Sequence, residues 1–201
     1  MTRGLSYIIT RDFGFAPNPF HGVLTLATCK PRIRSSAQVG DYLIGNSPKS
    51  AGNKLIYMAK VDEITTFDAY WNDSRFQCKK AVMNGSLKKL YGDNIYHHED
   101  GEWIQANSHH SLDDGLVNES NLLRDTGTTD RVLICNEFFY LGKSMVDISK
   151  LFPNCVHYGI GHNAVEEEDC KALWEYLSSY FPMGLIDVPN LFREFSRYNG
   201  K

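Results

Sequence analysis

The sequence predicts an α+β domain: a small mixed β-barrel with short helices around it and a helical C-terminal segment. Three observations predict this. Apolar and β-branched runs of strand length recur through the first 65 residues and again at 131–141. Helix-start signals fall between them, at Pro31 and at Thr66. A helical apolar period, Leu173, Trp174, Leu177 and Phe181, marks the C-terminal stretch.

Residues 5–10 read as a first strand and 22–29 (GVLTLATC) as a second. Pro31 opens a short helical segment at 31–38. The Gly40-Asp41 turn leads into a buried strand at 42–45, and a loop rich in Ser, Pro, Gly and Asn follows at 46–53. Residues 54–64 (KLIYMAKVDEI) read as one long strand. Thr66 caps a helix at 67–72, with Asp68 near its positive end. Residues 73–130 are polar and hard to read, with one helical turn at 86–91 and a strand at 102–106. A stretch this long with so little regular structure points to function or a flap rather than a mere connector. Residues 131–141 (RVLICNEFFYL) form a strong buried strand that Gly142 ends. The helix from 163 carries its glutamates near the N-terminus and stops at Pro182-Met183-Gly184. A last short helix is expected at 189–198. The organisation is a single domain over residues 1–201, with a loop-rich insertion at 73–130 and a helical extension at 163–201.

Two hundred and one residues can bury a core without metal or disulfide staples. No run approaches the roughly 20 apolar residues of a membrane span, and the start reads directly into a strand, so neither a membrane nor a signal peptide is expected. Five widely spaced cysteines without a C-x-x-C pair suggest reduced thiols and a cytoplasmic protein. A net charge of -3 argues against strong non-specific nucleic-acid binding, although residues 1–90 are net basic and the remainder net acidic.

The run Thr10-Arg11-Asp12-Phe13-Gly14-Phe15-Ala16-Pro17-Asn18-Pro19-Phe20-His21-Gly22 is the richest stretch. Its prolines and glycines forbid a helix or a central strand. Its phenylalanines either plug the core or wall a pocket for a flat ligand, held by Arg11, Asp12 or His21. Two histidine pairs, His97-His98 and His109-His110, supply acid–base groups, and an extended backbone sends only one of each pair to a given point. With Asp93, Asp113, Asp114 or Asp125 they offer metal donors, but no ligand spacing such as H-x-x-x-H is present, so no metal and no cofactor are expected. Cys29 beside Lys30 is read as a buried, inert thiol in preference to a nucleophile. Base recognition needs aromatic faces and polar edges. Arg11, Phe13, Trp71, Asn94, Tyr96, Trp103 and Gln105 are the ligand-binding candidates, and Asp12, His109 and His110 the catalytic ones.

The order strand, short helix, Gly-Asp turn, strand, long strand, helix resembles the PUA-like superfamily, which includes the EVE, YTH and ASCH domains. That resemblance implies a barrel pocket holding one base, often a modified one. Thr10 to Phe20, Ala27-Thr28-Cys29-Lys30-Pro31, Asp68-Ala69-Tyr70-Trp71-Asn72-Asp73, Gly92-Asp93-Asn94-Ile95-Tyr96 and Phe139-Tyr140-Leu141-Gly142 are similar to the second nucleotide-modification-associated domain family. This implies a bacteriophage or bacterial protein linked to DNA base hypermodification. The expected function is recognition of a modified or free nucleobase or nucleotide, with DNA a further partner and the oligomeric state open. The alternatives are a nucleotide-modifying transferase or hydrolase using Asp12 with His109 or His110, and a protein–protein module of a defence or counter-defence system.

Overall fold

The computed structural model describes residues 2–200. In chain order it comprises β1 (Gly4–Ile8), β2 (Leu24–Leu26), α1 (Pro31–Ser36), β3 (Tyr42–Asn46), β4 (Leu55–Lys60), β5 (Glu63–Thr65), α2 (Phe67–Asn72) and α3 (Leu87–Leu90). There follow β6 (Tyr96–Glu99), β7 (Glu102–Gln105), α4 (Glu119–Thr126), β8 (Val132–Cys135), β9 (Phe138–Tyr140), β10 (His162–Val165), α5 (Glu167–Tyr180) and β11 (Gly184–Leu185), with short 3-10 turns between.

The strands form a six-stranded sheet in the order β10-β1-β3-β4-β9-β11, a three-stranded sheet β2-β8-β5 and the hairpin β6-β7. The class is α+β, as expected. The barrel is not closed: β10 and β11 stand at opposite edges of the large sheet, and β2 and β5 at the edges of the small one. The two sheets meet at a corner. The β4/β9 pairing continues into β5/β8 after a break at Val61-Asp62 on one strand and Asn136-Glu137 on the other. Asp62 makes that corner. Its backbone N–H donates to the Ile134 carbonyl, and its carboxylate accepts the Asn136 N–H at 2.5 Å. The two long strands expected at 54–64 and 131–141 are therefore each divided in two.

Side chains in the large sheet alternate between two cores. Leu43, Tyr57, Phe138 and Tyr140 face the first, shared with Leu24, Leu26 and Leu133 of the small sheet. Ile44, Met58 and Phe139 face the second, where α5 seals the sheet with Leu173 and Leu177. Each such leucine contributes about 1.5–3 kcal/mol by leaving water. A third core, with Phe15, Phe67, Tyr70, Tyr91 and Tyr96, joins residues 10–20 to α2 and the β6-β7 hairpin.

Within the stretch expected to be helical, α5 covers Glu167–Tyr180. Residues 162–165 form strand β10 before α5, and the stretch at 189–198 is not a helix. Its backbone is engaged elsewhere: the Leu191 N–H donates to the Asp12 carbonyl, and the Tyr198 N–H to the His109 carbonyl, at 2.8 Å each. The tail is thus strapped across residues 10–20 and 108–111.

Candidate functional site

The site is built where β2 hands over to α1. Two consecutive non-glycine residues, Cys29 (φ 54°) and Lys30 (φ 43°), occupy the left-handed region there. That conformation is costly for residues with a Cβ and persists only where surrounding contacts enforce it. Arg34, fully buried on α1, is one enforcer. Its Nε donates to the Cys29 carbonyl at 2.9 Å, Nη1 to the Arg131 carbonyl at 2.8 Å, and Nη2 to the Asp125 carbonyl. Asp125, on α4, is the other: its Oδ1 accepts the Cys29 N–H at 2.9 Å.

The second Asp125 oxygen serves a different group. Oδ2 accepts from His110 Nδ1 at 2.8 Å and from the Tyr96 hydroxyl at 2.9 Å. His110 then presents Nε2 to the Cys29 thiol, 3.7 Å away. Burial alone would raise the Asp125 carboxyl, but His110 and Arg124 outweigh it and hold it well below the usual carboxylate range. For His110 burial opposes the charged form, yet Cys29 and Asp125 outweigh it and raise its pKa. Arg124 lies on the imidazole, Nη2 3.3 and 3.4 Å from its two ring nitrogens, and donates from Nε to Asp125 at 3.0 Å.

Cys29 and His110 form part of the wall of an open pocket of about 400 Å3. Phe13, Phe15, His109 and Tyr198 supply its rings, and Arg11, Lys30 and Arg124 its positive charge. Phe13 is held by stacking on Tyr91 (5.4 Å between centroids), and the Arg11 guanidinium lies 4.9 Å from the centre of the Tyr198 ring. His109 donates from Nδ1 to the Ser196 carbonyl. Burial, with His110 beside it, pushes its pKa down to about 3, so it is neutral and keeps Nε2 as an acceptor.

The structure brings four of the sequence candidates together in this pocket: Arg11, Phe13, His109 and His110. Both histidines reach it because residues 108–111 turn, the Ser111 N–H donating to the Ser108 carbonyl, so strand alternation does not apply. Tyr96 and Gln105 stand behind His110, with Gln105 Nε2 donating to the Tyr96 hydroxyl at 3.2 Å and to the His110 carbonyl at 3.3 Å. Asp12 lies elsewhere. Its buried carboxyl, pushed up by burial, accepts from the Tyr140 hydroxyl and the Asn190 N–H. Asn94 tethers the Tyr70 and Phe76 carbonyls. Trp71 stacks on His97 at 3.9 Å, and Trp103 packs on Phe67 and His98.

Nothing in the sequence marks Arg124 or Tyr198 as a site residue; Phe15 is among the phenylalanines expected either to plug the core or to wall a pocket, Cys29 beside Lys30 reads as an inert thiol, and Asp125 is one of four alternative donors. One usable signal was present: a cysteine at a strand-to-helix turn, before the proline that opens the helix. Where no metal was expected, Cys29, His110 and Asp125 bring their donor atoms within 4.8 Å of one another, a thiol, imidazole and carboxylate set of the kind zinc takes.

Fold and site together define an α+β protein with an aromatic, cationic pocket and a cysteine–histidine–aspartate cluster in its wall. Residues 1–196 match the model of nucleotide modification associated domain 2, and the chain belongs to that family, which ties it to nucleotide modification. No curated protein and no solved structure matches it. No helix among the described residues is long and apolar enough to cross a membrane.

Proposed function

We propose that the pocket binds a nucleobase or nucleotide, free or modified, and that this recognition serves DNA base modification. The observation that supports it most is the combination of ring faces and guanidinium groups around one opening of about 400 Å3, within the size range of small-molecule sites. Phe13 and Tyr198 offer faces for a flat ring, and stacking contributes about 1–3 kcal/mol per base. Arg11 and Arg124 can hold a phosphate in the forked geometry that guanidinium provides. His109 Nε2 accepts a hydrogen bond from a base edge.

The family match over residues 1–196 supports the setting, nucleotide modification, whereas the open sheets give no support to a PUA-like barrel. Five free cysteines support a reducing, cytoplasmic compartment. A nucleoside and nucleotide panel followed by calorimetry tests the reading. At least one member should bind, with Arg11→Ala or Phe13→Ala weakening it by roughly tenfold. Failure of every nucleoside, nucleotide and modified-base oligonucleotide would overturn it in favour of a protein–protein module. The enzyme alternative is supported by a different observation, the cluster at Cys29 rather than Asp12.

A further inference from the structure

We infer that Cys29, His110 and Asp125 form a nucleophilic triad for acyl transfer, with Cys29 attacking an electrophilic carbonyl carbon of a ligand in the pocket. The pairing of atoms carries this. His110 directs Nδ1 to Asp125 (2.8 Å) and Nε2 to the Cys29 sulfur (3.7 Å), the relay in which one carboxylate fixes the tautomer of the base. Asp125 also holds the Cys29 N–H, so one residue orients both nucleophile and base. Cys29 stands on a left-handed turn between strand and helix, a conformation that lifts a nucleophile out of its strand. Cys29 lines the pocket together with Arg124, whose positive charge favours a developing oxyanion, while the Lys30 ammonium donates to the Ile8 carbonyl at 2.7 Å.

A divalent metal ion draws on the same three residues, but the arrangement favours the triad. The two imidazole nitrogens face different partners, both carboxylate oxygens already accept hydrogen bonds, and Arg124 stands against the cluster. The step balances without a redox partner. The Cys29 proton passes to His110 Nε2 as sulfur bonds to the carbonyl carbon. The leaving group departs with that proton, leaving a thioester. Water, losing a proton to the same imidazole, attacks the thioester; the acid is released and the thiol restored. That the acyl group belongs to a modified base or nucleotide rests on the function proposed above, whereas the triad itself does not.

Two probes test it on the intact protein without any nucleotide. Iodoacetamide at about pH 6.5 should alkylate Cys29 at least roughly tenfold faster than Cys78 in the same molecule, although Cys78 is the more exposed. p-Nitrophenyl acetate should leave an acetyl group on Cys29 that is then lost by hydrolysis, while Cys29→Ser gives no adduct and no turnover. His110→Asn should erase the Cys29 advantage; the ratio within the wild-type protein stands whether or not that variant folds. The inference is overturned if Cys29 reacts no faster than Cys78, if it never acetylates, or if it reacts only after a chelator strips a stoichiometric metal. A negative nucleotide panel would not touch these results, and a negative thiol result would leave nucleotide binding standing.

Discussion

His109 and Ser196 make the site sensitive to acid in a direction that can be worked out. The imidazole is almost wholly buried, donates to the Ser196 carbonyl and has its pKa pushed down to about 3, against about 6.5 in an unfolded chain. A lowered histidine pKa means the unfolded state takes up the proton first. This group therefore costs nothing above pH 7, and its penalty grows as pH falls from about 6.5 toward 3. Between pH 7.5 and 5 the linkage amounts to about 2 kcal/mol. Other groups titrate in the same window. His110, raised, loses its stabilising effect as pH climbs through its folded value, and Asp12, also raised, gains as pH falls. Both remain in a His109→Gln variant, whose amide can still donate to Ser196, so the difference between wild type and variant isolates His109. Urea unfolding at the two pH values should show the variant gaining about 2 kcal/mol on the wild type at the lower pH. A difference that is flat to within about 0.5 kcal/mol would refute a neutral, buried His109.

Further outcomes follow from the same contacts. Arg34→Met removes three donors from buried or half-buried carbonyls and should cost roughly 3–6 kcal/mol in chemical unfolding, with Cys29 losing its left-handed geometry. Asp12→Asn disturbs the acceptor that serves Tyr140 and Asn190; it should loosen residues 186–198 in hydrogen exchange and cost about 1–3 kcal/mol. Trp71→Ala should leave nucleotide affinity within about twofold of wild type, since Trp71 stacks on His97 and Lys80 outside the pocket.

The legible parts of the fold were those where side-chain chemistry alternates with the backbone. Leu43 and Ile44, or Tyr57 and Met58, face opposite cores and read as strand. The α2 helix was legible from its cap, because the Thr66 side chain does accept the Ala69 N–H. The corner at Asp62 was not, because two polar residues on each strand, Asp62-Glu63 and Asn136-Glu137, read equally well as a solvent-facing step within one strand, and the carboxylate that holds the Asn136 N–H across the break leaves no local signal. Helix α4 was invisible for a related reason: its buried face is made of Asn121 and Asp125, so no apolar period exists to find. The site followed the same pattern. The loop at 10–20 announced Arg11 and Phe13 by composition, whereas Cys29, Asp125 and Tyr198 meet across 169 residues of chain and carry no local signal that they do.

Protection of Cys29 is the most direct test of the central claim, that a nucleotide-type ligand sits against this thiol. Iodoacetamide labelling is followed at Cys29 and Cys78 together, with and without each nucleoside, nucleotide and modified-base oligonucleotide. The account predicts that a binding ligand slows Cys29 by roughly tenfold and leaves Cys78 unchanged. Binding detected by calorimetry with Cys29 labelled at its unprotected rate would contradict it.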